Sequence, residues 1–127
     1  MGFPITATLT LEYPPDEGLP PNNLPFPVTM TVENRSVQRL KLVGTGTKNV
    51  DFGTIGGPGA KLVLVVVEQS TGAAPITCRY NGGGVQGEVE VSPGGYTCIV
   101  SPTPTNGIVA LGISYTTNVN VRVWLFG

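Results

Sequence analysis

Side chains able to do chemistry are few in this chain, and their spacing limits what they can do. Histidine is absent from all 127 residues, so the commonest general base at neutral pH is missing. The carboxylates are Glu12, Asp16, Glu17, Glu33, Asp51, Glu68, Glu88 and Glu90. Glu88 and Glu90 alternate with Val89 and Val91, so a strand puts both on one face. Paired carboxylates serve glycoside hydrolysis, but solvated strand faces carry such pairs routinely, and no serine has a base beside it. Two glycine-rich stretches end in lysine, 44–48 and 53–61. Neither supplies Gly-Lys followed by Ser or Thr, and Lys61 opens an aliphatic run where a phosphate loop needs a helix N-terminus. No catalytic or cofactor-binding residue is assigned.

Cys78 and Cys98 are the only cysteines. Two thiols without histidine do not complete a zinc tetrahedron within one chain, so no metal site is assigned. Each lies in an alternating segment, 76–80 and 96–100, on the side of the apolar residues. They read as two small buried hydrophobes that stay reduced. The alternative is a disulfide, which requires Cα atoms within about 7 Å and an oxidising compartment.

The element around which the rest is laid is Lys61–Glu68, six consecutive branched aliphatics between a cation and an anion. Its failure to alternate predicts a central strand covered on both faces. Ile5–Tyr13 alternates strictly, apolar against threonine, as a half-buried strand does. Val28, Met30 and Val32 resume that alternation, and Leu40 and Leu42 line the next strand. Residues 44–47 read as a turn and 50–52 as a short edge strand. Asn81-Gly-Gly-Gly84 between alternating segments predicts a hairpin, and Ser92-Pro-Gly-Gly95 a type II turn. Further strands fall at 96–100, 108–115 and 119–126. About ten short strands with turn chemistry between them, and no helix signal, predict one all-β domain over 1–127, an antiparallel β-sandwich or jelly roll.

Residues 14–27 hold six prolines together with Asp16, Glu17, Asn22 and Asn23. Proline lacks the ladder donor, so this stretch is expected to stay outside any sheet. It reads as a covering loop or as an arm laid on a neighbouring subunit, with Leu19, Leu24 and Phe26 as anchors. The tyrosines fall in phase with apolar neighbours and read as core. Trp124 and Phe126 lie opposite Val119, Val121, Val123 and Leu125, beside Asn120 and Arg122. That face is a second apolar layer, a subunit interface or a ligand platform, and the interface reading is preferred.

Only 12% of the residues are charged and the net charge is −1. Such a surface lacks the clustered cations of a nucleic-acid footprint and suits a protein packed against neighbours. No segment has the length and hydropathy of a membrane span or the pattern of a signal peptide, so folding in a cytoplasm is expected.

The stretches Val50-Asp-Phe-Gly-Thr-Ile55, Ile76-Thr-Cys-Arg-Tyr-Asn-Gly82, Ser92-Pro-Gly-Gly-Tyr96 and Val121-Arg-Val-Trp-Leu-Phe-Gly127 resemble small all-β virion proteins of tailed bacteriophages. The resemblance is one of pattern and carries no site residues. It implies a non-enzymatic protein of the virion, most simply a capsid decoration (cement) protein. Such a protein forms an oligomer, commonly a homotrimer, and meets the major capsid protein. A head–tail, collar or tail component and a carbohydrate-binding sandwich module are the alternatives.

Overall fold

Strands account for every regular element among the described residues of the computed structural model, which are 2–12, 23–53, 55, 59–82, 85–101 and 107–127. In chain order they are β1 (Phe3–Glu12), β2 (Asn23–Val32), β3 (Arg35–Leu42), β4 (Gly46–Asn49), β5 (Leu62–Val67), β6 (Ile76–Gly82), β7 (Val85–Val91), β8 (Tyr96–Val100), β9 (Ala110–Tyr115) and β10 (Val119–Phe126). Two four-stranded antiparallel sheets, ordered β3-β10-β5-β8 and β4-β9-β6-β7, enclose the core. β1 and β2 form a separate two-stranded ribbon. No described helix is long and apolar enough to cross a membrane.

The aliphatic run lies where its pattern predicts. β5 sits between β10 and β8, its inward Val63, Val65 and Val67 buried and its outward Leu62 buried too. β10 alternates as expected, with Val119, Val121, Val123 and Leu125 inward. From the facing sheet, Ile76, Cys78, Val91, Leu111 and Ile113 close the same cluster. No buried side-chain polar atom among the described residues lacks a partner. Burying one valine or leucine contributes roughly 1.5–3 kcal/mol, so this cluster holds the two sheets together.

Turn chemistry fixes the registers. β6 and β7 pair as far as Gly82 opposite Val85, the predicted hairpin. At 92–95 the predicted type II turn forms, with Gly94 at φ 83° and the Gly95 amide donating to the Ser92 carbonyl at 2.9 Å. Gly59 is required twice over. Its φ is 108°, and a Cβ there would stand 2.7 Å from the Gly107 carbonyl carbon. That close approach supports the neighbouring Ala60–Ile108 bridge.

Four expectations are corrected. Gly46 and Thr47, the second half of the expected turn, open β4 against β9. Residues 50–52, expected as an edge strand, form no strand: the Val50 amide still donates to the Leu111 carbonyl at 2.9 Å, and Val50 and Phe52 pack against the core. The strand expected to start at Ile108 starts at Ala110. The proline-rich stretch does enter a ladder over its last five residues, since Asn23–Pro27 belong to β2. Pro4, Pro25 and Pro27 all fall on one parity of the β1–β2 register, opposite Thr31, Thr10 and Thr8. Antiparallel pairs alternate between hydrogen-bonded and non-bonded, so prolines confined to the non-bonded parity remove no donor. Leu19 and the rest of 13–22 lie outside the described residues.

Candidate assembly surface

The outer faces of the two sheets differ in kind. On the β4-β9-β6-β7 sheet the outward positions are Thr47, Asn49, Ser114, Gly112, Ala110, Thr77, Arg79, Asn81, Glu88 and Glu90. Apart from Ala110 and Gly112, that face is polar. Arg79 pairs with Glu88 across the strands at 3.4 Å, and both are exposed. The carboxylate pair singled out above is thus part of a solvated ion-paired surface, where such pairs contribute under about 1 kcal/mol. No group of three or more His, Cys, Asp or Glu side chains among the described residues converges as metal ligands do.

On the β3-β10-β5-β8 sheet the registers build the outer face row by row. The first row is Arg35, Phe126, Leu62 and Val100, and the second is Val37, Trp124, Leu64 and Cys98. The third is Arg39, Arg122, Val66 and Tyr96. This face is apolar toward β5 and β8 and cationic toward β3. Glu68, next along β5, takes both Arg122 (2.9 Å) and Arg39 (3.4 Å).

The ribbon covers the first row. Its apolar parity pairs Phe3 with Val32, Ile5 with Met30, Ala7 with Val28 and Leu9 with Phe26, while its other parity is threonine and proline. Phe3, Ile5, Ala7, Val28, Met30 and Val32 pack with Leu62, Leu64, Val100 and Phe126 into a second cluster. The Lys61 ammonium donates to the Thr31 carbonyl at 2.5 Å. At the root, Gly127 accepts from the Glu33 and Asn34 amides and donates to the Asn34 carbonyl. The distal end has no such cover. Leu9 is 48% exposed and Phe26 50% exposed.

The side chains singled out from sequence therefore separate. Phe126 lies under the ribbon as part of the second apolar layer, and Trp124 stands half-buried in the adjoining row. Phe26 is on the ribbon's exposed end, and Leu24 holds the next pair of the same register, opposite Leu11. Two readings of single residues are corrected. Cys98 is exposed, and Tyr96 is 60% exposed. Both share the apolar parity of β8, but on that strand Ile99 points inward and the parity of Tyr96, Cys98 and Val100 points out. The cysteines are both free, Cys78 inside one sheet and Cys98 outside the other. Burial pushes the Cys78 thiol up to about 11, and partial desolvation raises the Cys98 thiol as well. Sequence reasoning missed Leu9, Val37 and Tyr96 as members of an exposed apolar surface. Period-two alternation identifies a face without saying which side of it the core occupies.

Comparison with known protein families, curated proteins and solved structures finds no match to the chain.

Proposed function

We propose that this chain is a non-enzymatic structural protein of a virus particle, best read as a capsid decoration protein that assembles with copies of itself. The observation that carries the reading is the unequal treatment of the two outer faces. One is mostly polar, with the exposed Arg79–Glu88 ion pair, while the other is apolar and cationic and partly covered by the chain's own ribbon. Contiguous exposed apolar surface marks interaction sites.

Topology supports the class. β3 pairs with β10, β4 with β9, β5 with β8 and β6 with β7, one long hairpin of hairpins rolled into two sheets. Nested pairing of this kind supports reading the sandwich as a jelly roll, an architecture used by viral capsid domains and also by lectins and cupins. The resemblance of residues 50–127 to small virion proteins of tailed bacteriophages points the same way.

The test is co-purification. The chain is expected to travel with virus particles in a copy number comparable to the major capsid protein, and to rebind particles stripped of it. A handful of copies per particle would move the assignment to a collar or tail position. No association with particles would overturn the reading.

One observation favours a second reading. Trp124 and Tyr96 share the outer face of one sheet, the arrangement a carbohydrate-binding surface uses. Glycan-array binding abolished by Trp124→Ala would establish it in place of the first.

A further inference from the structure

The exposed end of the ribbon and the uncovered rows of the β3-β10-β5-β8 face are two separate apolar surfaces on one molecule. We infer that they are the two halves of one contact, so that the distal β1–β2 ribbon of each copy docks on a second copy beside its own ribbon, over the Val37, Trp124, Cys98 and Tyr96 side chains that the resident ribbon leaves open. The inference rests on the assembly reading above and names its partner and geometry.

Three observations carry it. The first is continuity. The same apolar parity of the ribbon that presents Leu9 and Phe26 already packs, through Phe3, Ile5, Ala7, Val28, Met30 and Val32, on the first row and on Leu64 of the second. The ribbon's apolar face and this sheet face are therefore complementary within one chain, and a second copy extends the contact over the side chains left open. The second is charge. The two ribbon strands carry Glu12 as their only charged residue, at the distal end, with Glu33 at the root and no lysine or arginine. The sheet face offers Arg35, Arg39, Lys41 and Arg122 with Glu68 as its single anion. An anionic ribbon end meeting a cationic face is attracted and oriented on approach, whereas two ribbon ends of like charge repel. The third is reach. From Ala7 to Glu12 the ribbon runs on past the packed pairs by about 17 Å at ~3.4 Å per residue, enough to cross three or four strands spaced ~4.8 Å apart. Its root is held by the Gly127 hydrogen bonds, so the exposed end is presented in a fixed direction.

Cys98 gives the contact a reporter, because it is exposed on the receiving row while Cys78 is buried. Phe26→Cys is introduced in a Cys98→Ser background, mixed with the otherwise native chain carrying a distinguishing tag, and oxidised mildly. The expected product is a mixed disulfide between position 26 of one copy and Cys98 of the other, identified by peptide mass. Bonds solely between two copies of position 26, or no bond, overturn the inference. In parallel, Leu9→Ser with Phe26→Ser is expected to weaken self-association at least tenfold by analytical ultracentrifugation, with the monomer melting temperature unchanged. Unaltered association, or a native chain that stays monomeric at millimolar concentration, also overturns it. The two readings fail separately. A chain that binds particles but shows no mixed disulfide loses this contact alone, and one that self-associates through the ribbon but ignores particles loses the virion assignment alone.

Discussion

Cys78 and Cys98 put the same side chain into opposite surroundings, and their behaviour follows from position. Cys78 lies among the core side chains between the sheets, whereas Cys98 faces outward beside Leu64. The thiolate is the reactive form, so an alkylating reagent at pH 8 should add once to the folded protein, at Cys98, and twice after denaturation. Peptide mass spectrometry distinguishes this from a disulfide, which would block both additions. The raised pKa of Cys78 also sets a pH limit on stability. The folded state holds this proton more tightly than the unfolded state, so the contribution is complete below about pH 9 and is lost as pH rises toward about 11. At 1.36 kcal/mol per pKa unit, with some allowance for screening, the loss is on the order of 2 kcal/mol. Urea midpoints at pH 8 and pH 10.5 should fall less for Cys78→Ala than for the native chain, and parallel falls would assign the effect elsewhere. Glycine positions differ just as sharply. At Gly72, with φ 78° and open space around it, alanine meets only the left-handed penalty of about 1 kcal/mol. At Gly59 the same change adds a clash with the backbone of Gly107 and Ile108 and should cost about 2–4 kcal/mol. Equal losses at the two positions would show that the close approach is relieved cheaply.

Among the elements, legibility tracks how much of the signal is local. β5, β10 and the β6–β7 hairpin follow from a buried aliphatic run, strict alternation and Asn-Gly chemistry, and each lies where those cues predict. The second half of β2 is legible in the alternation of Val28, Met30 and Val32. Its first half was hidden because Pro25 and Pro27 argue against a ladder, and only the register with β1 reveals that they share one parity. β4 was hidden because Gly46, Thr47, Lys48 and Asn49 carry no apolar alternation, and pairing with β9 at a sheet edge is what makes them a strand. The candidate surface was half legible for a similar reason. Trp124 declares itself out of phase with the inward valines of its strand, while the outward direction of Tyr96 and Cys98 depends on which face of β8 meets the core. The ribbon, joined to the body through its root and one apolar face, should open without the sandwich. Met30→Ala removes a side chain buried in the second cluster and should weaken ribbon docking by about 2–4 kcal/mol. Hydrogen exchange should then quicken at least tenfold across β1 and β2 while β5 and β10 stay protected. Equal loss of protection in β10 would make the ribbon part of the cooperative core.

For the whole molecule, nested pairing has a kinetic consequence. β6 and β7 are neighbours in sequence, β5 and β8 enclose them, and the outermost pair, β3 with β10, joins positions separated by most of the chain. Each enclosing pair is easier to form once the pair inside it is in place, because the inner contacts shorten the effective loop that must close. A fold dominated by non-local antiparallel pairs belongs among the slow two-state folders, so refolding is expected in milliseconds to seconds. The same logic predicts the order of events. Val91→Ala, in the β6–β7 hairpin, should slow folding, whereas Val121→Ala, in β10, should mainly speed unfolding. Both side chains are buried, at 4% and 0% exposure, so each truncation is large enough to give a usable ratio of kinetic to equilibrium effect. A ratio above about 0.5 at Val91 with one below about 0.3 at Val121 is the expected result by stopped-flow chevron analysis. The reverse pattern would mean that β10, which lies between β3 and β5 and supplies four of the innermost side chains, gathers the sandwich before the hairpin closes, and that nesting describes the finished topology without describing its assembly.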